Sequence, residues 1–156
     1  MANKKSAQQW FDEYAESHQN PTNKLIHWIC VPIIMISLLG LVYSIPVQTD
    51  LGFVQIRPLH LLLALALVFY FSLSTSIFLG MLVVSLLMYL AVLGLASLDV
   101  PLWASSLALF IAAWLGQFYG HRVEGKKPSF LKDLQFLLVG PAWLLHFIYK
   151  QLGIAY

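Results

Sequence analysis

From Pro58 to Leu98 the chain runs for 41 residues without a formally charged side chain. As one helix this stretch would measure about 60 Å, twice the roughly 30 Å hydrocarbon core of a bilayer. It must therefore fold back on itself. The cluster Ser72-Leu73-Ser74-Thr75-Ser76 is the natural place for the turn, which predicts a short span near 59–73 and another near 77–96. A second charge-free run, Leu25 to Thr49, predicts a first span over Leu25–Tyr43, with Pro32 kinking it or setting its first turn. Residues 44–58 form a connection broken by Pro46, Gly52 and Pro58. Asp99 and Pro101 mark the next turn, and a fourth span covers about Leu102 to Phe118.

Composition agrees with this reading. Of 156 residues, 60% are hydrophobic and 10% charged, whereas soluble domains carry about 25% charged residues. So short a chain cannot hide that much apolar surface in a soluble core, so the surplus faces lipid. A net charge of +2 is too small to indicate nucleic acid. The single cysteine, Cys30, cannot form an intrachain disulfide and reads as a packing thiol. The first 24 residues are polar and lack the apolar stretch of a cleavable signal peptide, so the first span is expected to act as an uncleaved anchor.

Two segments flank the spans. Residues 6–18 read as an amphipathic helix: Ser6 and Gln9 can form a capping box, and Trp10, Tyr14 and His18 recur at i, i+4, i+8 with Phe11 beside them. This aromatic stripe can lie on the bilayer surface or on the body of the protein. Asn20-Pro21 ends the segment. Leu134–Tyr149 is apolar but only 16 residues long, with Gly140-Pro141 in its middle. It is expected to be a re-entrant or interfacial helical pair, a fifth span being the alternative. The fold expected is thus an all-α polytopic membrane bundle, a single domain over residues 1–156.

Lys4, Lys5 and Lys24 precede the first span, and Arg122, Lys126, Lys127 and Lys132 follow the fourth, while the turns between hold only Arg57. The positive-inside bias places both termini in the cytoplasm, in a bacterial inner membrane or, in a eukaryote, the endoplasmic reticulum. That topology brings His18, His27 and His121 to one cytoplasmic boundary. Histidine is costly in hydrocarbon and is the commonest metal ligand, so a cluster at one depth suggests a site. Pro21 lets the chain turn so that His18 and His27 face one place; on a continuous helix, nine residues apart, they would point nearly opposite ways. Asn20 and Asn23 are candidates to orient the imidazoles. Gln117, His121 and Glu124 fall at i, i+4, i+7, one turn beyond Trp114, and share a face if the helix persists through Gly120. Gln117 and Glu124 are then supporting groups, Glu124 also a candidate ligand. His60 is expected on the opposite membrane face, and His146 returns to the site only if the last segment is re-entrant. The bland alternatives are interfacial histidines bonded to headgroups or carbonyls, and a helix end favouring His and basic residues through its dipole.

The run Tyr14…His18…Asn23…His27, then Trp114-x-x-Gln117-x-x-Gly120-His121, then Glu124, Pro128 and Gly140-Pro141, covers nearly the whole chain. It resembles a family of small multi-pass membrane proteins formerly of unknown function, typified by the fungal iron(II)-dependent 2-hydroxy fatty acid dioxygenase of the endoplasmic reticulum. The resemblance implies that His18, His27 and His121 belong to a site for Fe(2+), and that the substrates are a 2-hydroxy fatty acid and O2. It also implies one-carbon shortening of the fatty acid, the reaction of α-oxidation. Membrane lipid surrounds the chain, and a homo-oligomer is compatible with the sequence. The rival functions are a haem protein with paired histidines, a di-iron lipid hydroxylase, for which five histidines are too few, and a non-enzymatic membrane carrier or scaffold.

Overall fold

The computed structural model describes residues 5–50, 52, 55–125 and 136–156. Lys4, Lys126, Lys127, Pro128, Lys132 and the start of the last apolar segment lie outside them. Six helices are described: α1 (Ala7–Ala15), α2 (Pro21–Tyr43), α3 (Pro58–Leu73), α4 (Thr75–Ala96), α5 (Leu102–Glu124) and α6 (Val139–Leu152). A two-residue antiparallel ladder, β1 (Thr49–Asp50) on β2 (Gln55–Ile56), closes the connection between α2 and α3. The all-α class read from the sequence is what the chain adopts. α2, α4 and α5 are long and apolar enough to cross a membrane, whereas α3, of 16 residues, is a shorter apolar helix.

The helix ends follow local chemistry. Ser6 and Gln9 form the expected capping box, but α1 ends at Ala15 rather than at residue 18. Asn20 caps α2 by accepting from the Thr22 N–H, and Pro21 takes the first helical position, where its missing N–H costs nothing. Pro32 lies inside α2 rather than starting it. Ser74 sits between α3 and α4, accepting from the Ser76 N–H, so the charge-free run folds back where the serines predict. α5 continues past Phe118 to Glu124 and ends on Gly125 in the left-handed region, where a residue without Cβ is favoured. This extension keeps Gln117, His121 and Glu124 on one helix.

α2 is the central element and packs along its length on α5. The two run antiparallel at close range: a Cβ on Gly116 would sit 2.7 Å from Cys30 Sγ, and one on Gly120 2.4 Å from Asn23 Oδ1. Without side chains at these positions the backbones approach closely, as membrane helices do. Cys30 is buried there as a free thiol, the packing role expected.

Gly140-Pro141 does not divide the last segment. The pair lies in the first turn of α6, where a proline is tolerated. α6 is inserted into the body, with every residue from Val139 to His146 buried. The Tyr70 hydroxyl donates to the Leu138 carbonyl (2.8 Å), and the Tyr149 hydroxyl to the Ser76 carbonyl (2.7 Å). These bonds tie α6 to the end of α3 and the start of α4. α1 lies over α6, and its Phe11 and Tyr14 are buried in the same core as Trp143. The aromatic stripe of α1 therefore covers protein.

Candidate metal centre

Three histidines meet at the end of the bundle covered by α1. His18, in the link between α1 and α2, His27 on α2 and His121 on α5 are all buried, and their ligating atoms lie within 4.8 Å of one another. Each ring has a local reason to be there. His18 stacks on Tyr14, one turn earlier, with centroids 4.1 Å apart and planes 10° apart. Trp143 of α6 lies 5.5 Å from the same ring. His27 and His121 face each other across the close α2–α5 seam, centroids 5.3 Å apart.

Hydrogen bonding fixes the state of two rings. His18 Nδ1 lies 2.6 Å from the Tyr14 carbonyl oxygen, and His27 Nδ1 2.9 Å from that of Asn23. A carbonyl only accepts, so both Nδ1 atoms carry hydrogen and donate. In the neutral tautomers, both Nε2 atoms then present lone pairs. Those two Nε2 atoms are 2.8 Å apart. Two lone pairs at that distance repel unless a proton or a cation lies between them. Burial pushes His18 down to about 4, the Tyr14 carbonyl opposing and His121 adding to the shift, so at neutral pH the ring is not an imidazolium. A cation held by neutral nitrogens satisfies the geometry, and backbone carbonyls on the far ring nitrogens are the usual support for metal-binding histidines. The donor set of three imidazoles fits a first-row transition metal.

Glu124 serves as a clamp. Its Oε1 accepts from the Gln19 N–H (2.8 Å), and its Oε2 from the Asn20 N–H (2.9 Å) and Asn23 Nδ2 (3.0 Å). The end of α5 thus grips the link that carries His18. Asn23 donates also to the Ser17 carbonyl (3.1 Å), so its side chain holds that link rather than an imidazole. Asn20 uses its side chain as the cap of α2. Gln117 is buried one turn before His121 and lines a cavity of about 40 Å³ with Tyr14, Val31 and Trp114. The grouping found from sequence thus assembles, but the orienting role expected of Asn20 and Asn23 side chains falls to the carbonyls of Tyr14 and Asn23. Reading the sequence missed Trp143 and the stacking role of Tyr14; the i, i+4 spacing of Tyr14 and His18 was the available signal for the latter.

The two remaining histidines stand apart from the cluster. His60 caps the start of α3, Nδ1 accepting from the Arg57 N–H (2.9 Å), and its ring lies 5.7 Å from Tyr89. His146 contacts the Tyr156 hydroxyl and packs on Phe11.

The Mpo1-like family, described as 2-hydroxy-palmitic acid dioxygenase Mpo1-like, matches residues 4–152, and therefore includes every residue of this centre. The chain belongs to the Mpo1-like family. The 2-hydroxy-palmitic acid dioxygenase MPO1 of Saccharomyces cerevisiae is 31% identical over 145 residues, covering 88% of this chain and 76% of the yeast protein. No solved structure matches the chain.

Proposed function

We propose that this member of the Mpo1-like family is a membrane dioxygenase that binds iron(II) through His18, His27 and His121 and shortens 2-hydroxy fatty acids by one carbon. The observation that carries the reading is the pair of Nε2 lone pairs meeting 2.8 Å apart, beside His121, in a buried site. The family and the yeast relative support the substrate class, a 2-hydroxy fatty acid with O2. Iron(II) with open coordination positions supplies oxygen activation.

The chain's own part is to present and protect. Tyr14 and Asn23 carbonyls hold the imidazoles in the tautomer that ligates. Glu124 fixes the His18 link against α5. Gln117 is buried one turn before His121, where it lines the small cavity against the centre. Tyr14 and Trp143 shield the centre from bulk water. In this reading α2, α3, α4 and α5 all cross the bilayer with both chain ends cytoplasmic, and the centre opens at the cytoplasmic boundary. α3, at about 24 Å, then crosses with little tilt.

The test is metal analysis of anaerobically purified protein, then oxygen consumption and product length with 2-hydroxypalmitic acid. Stoichiometric iron and a product one carbon shorter are expected. His18→Ala, His27→Ala and His121→Ala should each abolish turnover. Three variants with full iron and full activity would place the centre elsewhere.

A further inference from the structure

Beside the histidine centre, a cavity of about 230 Å³ lies between α1, the start of α2 and the end of α6. His18 forms part of its wall, and Lys24 and Lys150 line it. Asp12 is the carboxylate in that lining, and among the described residues neither lysine forms an ion pair. The cavity therefore presents surplus positive charge next to a histidine of the centre.

A groove of about 290 Å³ lies further along the same two helices, where α4 joins them. Trp28 and Ile36 of α2, Leu87 of α4, and Leu144 and Ile148 of α6 line it, and no charged side chain does. Trp28 and Phe147 meet between the two spaces with ring centroids 6.1 Å apart. On α2, Lys24, Trp28, Pro32 and Ile36 follow one i, i+4 ridge, which winds about 120° around the helix on its way from the charged cavity to the groove. Twelve residues of helix make that run about 18 Å long. The seam thus matches an anion with an unbranched apolar tail of that length. The cavity beneath the triad, at about 40 Å³, has no room for such a tail.

We propose that the α2–α6 seam is the fatty acid site, with the carboxylate charge balanced by Lys24 and Lys150 beside His18 and the acyl chain passing Trp28 and Phe147 into the groove walled by Ile36 and Leu87. This inference rests on the fatty acid reading of the function, and it makes the groove the determinant of chain length. Leu87 and Ile36 sit where the tail ends. Leu87 is 60% exposed, so a larger side chain there fills the groove without disturbing the interior packing.

The experiment measures binding rather than turnover. Equilibrium dialysis of the detergent-solubilised, iron-loaded full chain under anaerobic conditions would use palmitic acid, decanoic acid and methyl palmitate. The 2-hydroxyl is absent from all three probes, so binding is scored whether or not the oxygenase reading holds. Lys24→Gln with Lys150→Gln should weaken both acids by about tenfold, equivalent to about 1.4 kcal/mol, and leave the ester unchanged. Leu87→Trp should weaken palmitic acid severalfold and leave decanoic acid at its wild-type affinity; Ile36→Trp should do the same. Thermal melts establish that each variant is folded. Wild-type affinity for palmitic acid in the lysine double variant would overturn the head-group assignment. An unchanged ratio between palmitic and decanoic acids in both tryptophan variants would overturn the tail assignment and leave the groove to bilayer lipid. Binding that follows the expected pattern without any turnover of 2-hydroxypalmitic acid would uphold the seam while the oxygenase reading fails.

Discussion

Replacing Glu124 by Gln separates a clamp from a metal ligand. Gln keeps the shape and one acceptor oxygen. That oxygen can serve the Asn20 N–H and Asn23 Nδ2, now held at 2.9 and 3.0 Å, but the new NH2 group then faces the Gln19 N–H, donor against donor. One charge-assisted bond is lost and two become ordinary ones. Such bonds are worth about 1.5–3 kcal/mol when charged and about 1 kcal/mol when neutral, and Glu124 is partly exposed, so the lower end applies. A loss of about 1.5–2.5 kcal/mol in holding the His18 link is expected. It should appear as iron affinity weakened roughly 10–100-fold, with stoichiometry unchanged when iron is in excess. Competition with a chelator of known affinity measures the first quantity, and metal analysis at saturation the second. A Glu124→Gln variant that fails to bind iron at any concentration, as His27→Ala should, would refute the clamp and make the carboxylate a ligand. Unchanged affinity would show that the three hydrogen bonds contribute nothing to the centre.

Three further outcomes follow from the same geometry. His60→Ala should leave iron content and activity intact, because His60 bonds the Arg57 N–H at the start of α3, packs near Tyr89 and lies outside the histidine cluster; metal analysis of the folded variant checks this. Gly120→Ala should destabilise the protein by about 1–3 kcal/mol, since its Cβ would sit 2.4 Å from Asn23 Oδ1 in the α2–α5 seam, and it should weaken iron binding as the helices part; a thermal melt and the chelator assay read both effects. Burial, reinforced by Lys150 and opposed by Asp12, holds His146 below its ordinary value of 6.5. A histidine depressed in the folded state contributes stability above pH 6.5 that is lost on acidification, because the unfolded chain takes up the proton first. The melting temperature of the metal-free protein should therefore fall below that pH, less steeply in His146→Gln.

Much of this architecture is written locally. The charge-free run from Pro58 to Leu98 is too long for one helix, and the serines around Ser74 supply the hydrogen-bonding groups that let it turn there. Asn20-Pro21 separates His18 from the helix carrying His27 because a cap and a proline start a helix wherever they occur. Helical spacing likewise put Gln117, His121 and Glu124 on one face. What no local pattern contains is the register between distant helices. His121 reaches His27 because Gly116 and Gly120 let α5 close on Cys30 and Asn23, and only the packed pair reveals that approach. The same holds for Glu124, whose partners Gln19 and Asn20 lie about a hundred residues away, and for the Nε2 atoms of His18 and His27, whose confrontation depends on which carbonyl each Nδ1 meets. The Gly140-Pro141 pair does not by itself fix where α6 begins, because a Gly-Pro pair breaks a helix in its middle but is tolerated in its first turn, and only the residues packed around it decide which applies. Hydropathy and capping act between neighbours and are legible along the chain; the cluster of His18, His27 and His121 is made by side chains that only tertiary packing brings together.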